Sequence, residues 1–377
     1  MAFPKQLKIL FGFLLLLLLL PLLQQYLNVV KSSPLTGVTV ADTLHPALGL
    51  RSWLDGTFQE GKNNAVRDSI GFRPDFIRLS NQVNYTLFRK TNAHVVIGKN
   101  RDLFEQGYID AYLGKDFAGE QKVRERVRKM KYLQDTLDKL GKKLVFIYAP
   151  GKLRYWPEDI PGLQGKNYRS NYASYRHWGD EAGLRQIDFN GWFVSMKGKT
   201  RHPIFTRSSI HWTAYGALLA ADSFNKFMTK EGYTLPGIRW DDEQQGATGA
   251  PRYSEDDLEK LLNLVAPLPK EPLFHPDIAI DKNQVPHRPS AIYIGDSFMW
   301  MWINLYIPDN INATYQYWSY SVEVYGPGFK RPLKMSEIDP MKEVLQTDWV
   351  IIMYTDCNLA IAGWPFVEKA YTYFNGK

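Results

Sequence analysis

The chain has 377 residues and 45% apolar side chains, enough for one large hydrophobic core or two modest ones. Its net charge of +7 favours acidic partners such as lipid headgroups and anionic polymers, but the densest basic cluster, Lys122 to Lys131, alternates with Glu125 and apolar residues. That pattern reads as a solvated helix face rather than a nucleic-acid site, and the single cysteine, Cys357, excludes an intrachain disulfide and a thiolate metal cluster.

Lys5 and Lys8 precede an unbroken apolar run over residues 9–23, and extension to Val30 gives roughly the 20 residues that a membrane span needs. Pro21 is expected to kink this helix without preventing insertion. A cleaved signal peptide is the alternative, but Gln24-Gln25-Tyr26 is a poor cleavage site, which favours an uncleaved signal anchor. Positive charge ahead of the run keeps the N-terminus in the cytoplasm and places residues from about 32 onward outside the inner membrane, in the periplasm of a Gram-negative cell. Three segments follow: an anchor at 1–31, a linker or docking segment at 32–60 carrying Pro34, Gly37, Pro46 and Gly56, and a folded domain at 61–377.

Apolar spacing predicts a helix over 64–89, a short strand over 95–98 and an amphipathic helix over 119–140 ended by Gly141. A buried strand follows at 143–149, stopped by Pro150-Gly151; then a helix at 173–183, a strand at 184–189 and a helix at 212–230. Residues 236–256 read as an excursion. Beyond it come a strand at 291–294 ending in Gly295, a helix from Phe298, a strand at 314–318, a helix at 336–345 and a last buried strand at 349–354. Strands alternating with crossover-length helices predict an α/β fold, an open and mostly parallel sheet with helices on both faces, behind one N-terminal transmembrane helix. Ligands bind such sheets at the carboxyl ends of the strands.

Gly295-Asp296-Ser297-Phe298 lies at one such end. Gly295 permits a tight turn, and Ser297 falls at a helix start, where free backbone N–H groups can stabilise an oxyanion. A serine needs a base to act as a nucleophile near neutral pH. His211, on the loop leading into the helix at 212–230, can supply one, though a histidine that merely packs beside Trp212 fits the same spacing. Met299 stands where a Gly-x-Ser-x-Gly elbow has its second glycine.

The order His211-Trp212 first and Gly295-Asp296-Ser297 later, behind a signal anchor, resembles the alginate O-acetyltransferase family of the SGNH hydrolase superfamily. The resemblance extends through Ile70-Gly71-Phe72-Arg73 with Asn81, Val96-Ile97-Gly98-Lys99 with Leu103-Phe104, Ala149-Pro150-Gly151-Lys152 with Tyr155-Trp156-Pro157, and Tyr354-Thr355-Asp356-Cys357-Asn358. It implies an SGNH hydrolase-like domain that transfers acetyl groups to an exported polysaccharide, with a multi-pass membrane O-acyltransferase as the acetyl donor and no cofactor. Ser297 would carry the acyl group, His211 would act as base, and the Ser297 N–H with Asn358 would form the oxyanion hole.

One position departs from the family. Its usual element is Asp-x-His-Trp, in which the aspartate orients the histidine, and here that position is Ser209. A hydroxyl accepts a hydrogen bond but does not stabilise imidazolium as a carboxylate does. Three readings stay open: a Ser-His dyad, another carboxylate in the role (Asp296 or Asp188), or a domain that has lost catalysis and kept polysaccharide binding. Lys152, Arg154 and Tyr155 are candidate sugar contacts. No His or carboxylate set has metal-ligand spacing and no phosphate loop is present. Transfer and hydrolysis share an acyl-enzyme, so an acetylesterase is the competing activity.

Overall fold

The computed structural model describes residues 4–37, 47–163, 169–241 and 249–376; parts of the predicted linker and excursion, at 38–46 and 242–248, lie outside these. The described chain forms two compact units, residues 1–93 with 259–268, and residues 94–258 with 269–377.

The first unit is helical. Its N-terminal helix, Lys5–Leu27, is long and apolar enough to cross a membrane and keeps none of its apolar window buried in the protein. The helix predicted over 64–89 is two, Thr57–Ser69 and Arg73–Phe88, because Phe72 takes a left-handed conformation (φ 61°) between them. Both cluster with the N-terminal helix, and the sheet-bearing unit comprises residues 94–258 with 269–377.

The second unit is built on a seven-stranded sheet. In chain order its strands are β1 (Lys143–Tyr148), β2 (Gln186–Asp188), β3 (Ala291–Gly295), β4 (Tyr315–Ser319), β5 (Glu323–Tyr325), β6 (Leu333–Lys334) and β7 (Trp349–Tyr354). Across the sheet the order is β6-β5-β4-β3-β7-β1-β2. β4, β3, β7, β1 and β2 run parallel, and β5 and β6 add an antiparallel edge that the sequence did not announce.

The central strands are apolar throughout because both faces are covered. Leu144, Phe146, Ile292, Ile294, Val350 and Ile352 pack with Val123, Val127, Met130, Leu133 and Leu137 of the amphipathic helix Glu120–Lys139 and with Trp364 and Val367 of the helix Trp364–Asn375. Helix Ala214–Lys230 covers the opposite face, where Phe224 meets Trp302 and Trp349. Trp349 pairs with Lys143 of β1 and Ala291 of β3, so the three strands end side by side at Tyr148, Gly295 and Tyr354. The turns that follow, at 150–151, 296–298 and 355–358, therefore share one edge of the sheet.

Candidate active site

Gly295 brings β3 into its turn against the end of β7. A Cβ there would lie 2.7 Å from the Met353 carbonyl oxygen, closer than real side chains approach backbone. Asp296, fully buried, then ties the two turns together. Its Oδ2 accepts hydrogen bonds from Thr355 N, Thr355 Oγ1 and Asn358 Nδ2, each at 2.8 Å, and its Oδ1 accepts from Phe298 N at 3.2 Å. Ser297 sits in the turn just ahead of the short helix Met299–Asn304, half-exposed, with its N–H outside any helix ladder.

His211 reaches this serine from the loop before Ala214–Lys230. Thr213 caps that helix by accepting from Gly216 N at 3.0 Å, and Trp212 is buried against Trp302 and Phe298. With the residues on either side fixed, the imidazole lies against Phe298, ring centroids 4.7 Å apart, and its Nε2 is 2.8 Å from Ser297 Oγ. The other ring nitrogen, Nδ1, is 2.7 Å from Oδ2 of Asp257. Asp257 opens the short helix Asp257–Leu262, and its Oδ1 accepts from Ile210 N at 3.2 Å and Leu258 N at 2.8 Å. One carboxylate thus grips both the ring and the backbone of the histidine loop.

Burial pushes the Asp257 carboxyl up, but the hydrogen bond and charge of His211, with the Ser209 hydroxyl, outweigh it and hold the group below its usual range. A folded-state pKa below the unfolded one contributes stability that is present above the ordinary carboxylate pKa of about 3.9 and lost as pH falls through the lower folded value. Thermal unfolding followed from neutral pH into the acid range should show Asp257→Asn closing on the parent as pH falls; a gap that widens on acidification would contradict this sign.

The other sequence candidates fall elsewhere. Ser209 does not face the imidazole: its Oγ accepts from His211 N at 2.8 Å and donates to the Ser254 carbonyl at 2.7 Å. Asp296 does not orient the histidine either, being committed to the Thr355 turn. Asp188 caps the helix Phe189–Ser195 and accepts from Tyr172 and Arg176. Asn358, considered for the oxyanion hole, directs its amide N–H groups at Asp296 and at Thr355 Oγ1. The donor geometry at Ser297 involves a different residue: Ser297 N–H donates to the hydroxyl of Tyr320 at 3.2 Å. Burial, reinforced by the charge of Asp296, holds the Tyr320 phenol above its ordinary pKa, so it keeps its proton at neutral pH.

The three candidate sugar contacts turn inward. Lys152 is 1% exposed and donates to the carbonyls of Leu103, Arg207 and Ser209 at 2.7, 2.9 and 2.9 Å. Burial pushes its ammonium down and the Asp102 carboxyl up. Arg154 donates to Asp356 Oδ2 at 2.7 Å and to Ser170, its guanidinium between the rings of Tyr112 and Tyr172. Tyr155 is buried among Trp156 and Phe205. Nothing local singles out Asp257 as a partner of His211: it closes the acidic run Glu255-Asp256-Asp257 at the end of the irregular excursion.

A family model for the SGNH hydrolase-like domain of the acetyltransferase AlgX matches residues 95–291, just over half of the chain. This chain belongs to that family. The matched stretch contains His211 and Asp257 and stops before Ser297. Among curated relatives, the probable alginate O-acetylase AlgJ of Azotobacter vinelandii is 29% identical over 170 residues, 41% of this chain and 42% of the relative. The protein of the same name from Pseudomonas syringae pv. tomato is 27% identical over 193 residues, 51% of this chain and 46% of the relative. Each match thus spans less than half the relative's length. Among solved structures, AlgX of Pseudomonas aeruginosa aligns with a TM-score of 0.50 at 15% identity, covering 75% of this chain and 67% of that one, a likeness of fold. The O-acetyltransferase domain of Pseudomonas putida AlgJ aligns over 74% of this chain and 99% of that one, at 17% identity and a TM-score of 0.47.

Proposed function

We propose that this chain is a membrane-anchored, extracytoplasmic O-acetyltransferase that acetylates an exported polysaccharide through an acyl-enzyme on Ser297. The observation that carries the reading is the line Ser297 Oγ, His211 Nε2, His211 Nδ1, Asp257 Oδ2, with both gaps at hydrogen-bond distance, at the carboxyl end of a central strand. Membership in the acetyltransferase family and the apolar helix Lys5–Leu27 support the acyl chemistry and the anchor. The relatives named alginate O-acetylase support a polysaccharide acceptor.

Ser297 Oγ attacks the carbonyl carbon of the acetyl donor while its proton passes to His211 Nε2. The tetrahedral oxyanion accepts from Ser297 N–H, taking the place that the Tyr320 hydroxyl oxygen holds in front of it, and the displaced hydroxyl, still protonated, donates to it from beside. Collapse breaks the bond to the leaving group, which takes the proton from His211. A sugar hydroxyl then attacks the acetyl-serine, gives its proton to His211, and Ser297 leaves and recovers that proton. The anchor keeps the domain beside a membrane-borne donor, for which a multi-pass O-acyltransferase is the fitting partner.

The test is to quench the protein during turnover of p-nitrophenyl acetate and map acetylation by peptide mass spectrometry. One acetyl group on the peptide bearing Ser297, discharged when polysaccharide is added with acetyl appearing on the polymer, is the expected result. Discharge only to water would make the protein an acetylesterase. No acetyl group on Ser297 under turnover would sink the acyl-enzyme.

A further inference from the structure

We infer that Asp257 does for His211 what the family's Asp-x-His element does from position 209, and that the serine at 209 is the peg that makes the exchange possible. This rests on the acyl-transfer reading of Ser297 and His211.

The segment 254–257 is laid along the histidine loop by a ladder of hydrogen bonds. Thr206 Oγ1 and Ser208 Oγ donate to the Glu255 carbonyl at 2.9 and 3.2 Å, and Ser209 Oγ donates to the Ser254 carbonyl at 2.7 Å. Ile210 N donates to Asp257 at 3.2 Å and Ala214 N to Glu255 Oε1 at 2.9 Å. Glu255 is itself fully buried, its other oxygen held by His275 Nε2 at 2.7 Å and Arg252 N at 2.8 Å. The Asp257 carboxylate therefore arrives already oriented. Bound at Nδ1, it selects the tautomer whose Nε2 lone pair faces Ser297 and stabilises the imidazolium that forms.

Ser209, fully buried, joins the two strips. Its hydroxyl accepts from His211 N and donates to the Ser254 carbonyl, and an ionised carboxylate does only the first. An acid at 209 would also set a second anion beside Asp257, whose carboxyl already feels the Ser209 hydroxyl. The two positions are thus alternatives: an acid at 257 calls for a hydroxyl at 209.

The test measures acetyl release from p-nitrophenyl acetate by the full chain and by Asp257→Asn, Ser209→Asp and the double variant. Asp257→Asn is expected to lose about 10³- to 10⁴-fold in kcat with little change in KM, as loss of an orienting carboxylate does elsewhere. Ser209→Asp alone is expected to lose at least about tenfold, and the double variant to recover at least about tenfold over Asp257→Asn, since it returns one carboxylate to the loop. The low-field proton resonance of His211 Nδ1–H should be present in the parent and in Ser297→Ala and absent in Asp257→Asn. Near-parental activity in Asp257→Asn, or a low-field resonance that survives in it, overturns the assignment; a double variant no better than Asp257→Asn overturns the exchange. If Asp257→Asn does not accumulate folded, Asp257→Glu answers the same question: a carboxylate displaced by one methylene should cost at least about tenfold in kcat, and a full rate overturns the assignment. A parent without esterase activity would remove the acyl-transfer reading while the resonance still decides the role of Asp257.

Discussion

Ser297→Ala and His211→Ala are each expected to lower kcat for acetyl release by about 10³-fold or more, and the double variant by little more than either single one. Ser297 and His211 act as a unit. A serine hydroxyl without a base is a weak nucleophile at neutral pH, and a base without its serine has no proton to take. Each substitution therefore removes the same step. Folding should be spared in Ser297→Ala, whereas His211→Ala leaves the Asp257 carboxylate without its partner and should lower Tm. Ser297 is half-exposed, and its turn is held by Gly295 and Asp296, not by its own hydroxyl. His211 is anchored through its neighbours Trp212 and Thr213. Steady-state assay beside thermal unfolding checks both points. A parent-like rate in either variant would show that the 2.8 Å contact between them is not used in the reaction. Additive losses in the double variant would show two independent contributions.

Much of this arrangement is legible in the sequence, and the exceptions share a cause. The β3 strand and its turn are visible because an unbroken apolar run ending in Gly-Asp-Ser has few other ways to fold. His211 stands out through its order with the later Gly295-Asp296-Ser297, which carries the family resemblance, since its own spacing fits a packing histidine equally well. Asp257 stands 46 residues further along the chain from its histidine, at the head of a short leucine-bearing helix, and its meaning comes only from what lies opposite it. Ser209 misled for the same reason: the absent aspartate is evident in the sequence, but the compensating one is not. Phe72 splits a predicted helix through a left-handed backbone that no residue type there announces. The antiparallel edge, β5 and β6, is too short to show a period.

Lys152 carries the second large effect, and it separates a structural role from a binding one. A lysine after a strand end and a glycine resembles a solvated cation ready for an anionic sugar. In the folded chain it is buried, and its three N–H donors meet three backbone carbonyls, two of them, Arg207 and Ser209, on the histidine loop. Lys152→Met removes those donors without adding any, and leaves Asp102 with less positive charge nearby. Removing one member of a buried charged network costs about 3–5 kcal/mol, which corresponds to a fall in Tm of roughly 6–10 °C for a domain of this size. With its two carbonyl anchors released, the loop positions His211 less well, so kcat should fall about tenfold while KM for the polysaccharide acceptor stays near the parental value. A sugar contact would do the reverse: an unchanged Tm and a raised KM. The two outcomes are read from the same protein by calorimetry and by an acceptor titration, and the second would return Lys152 to the binding surface.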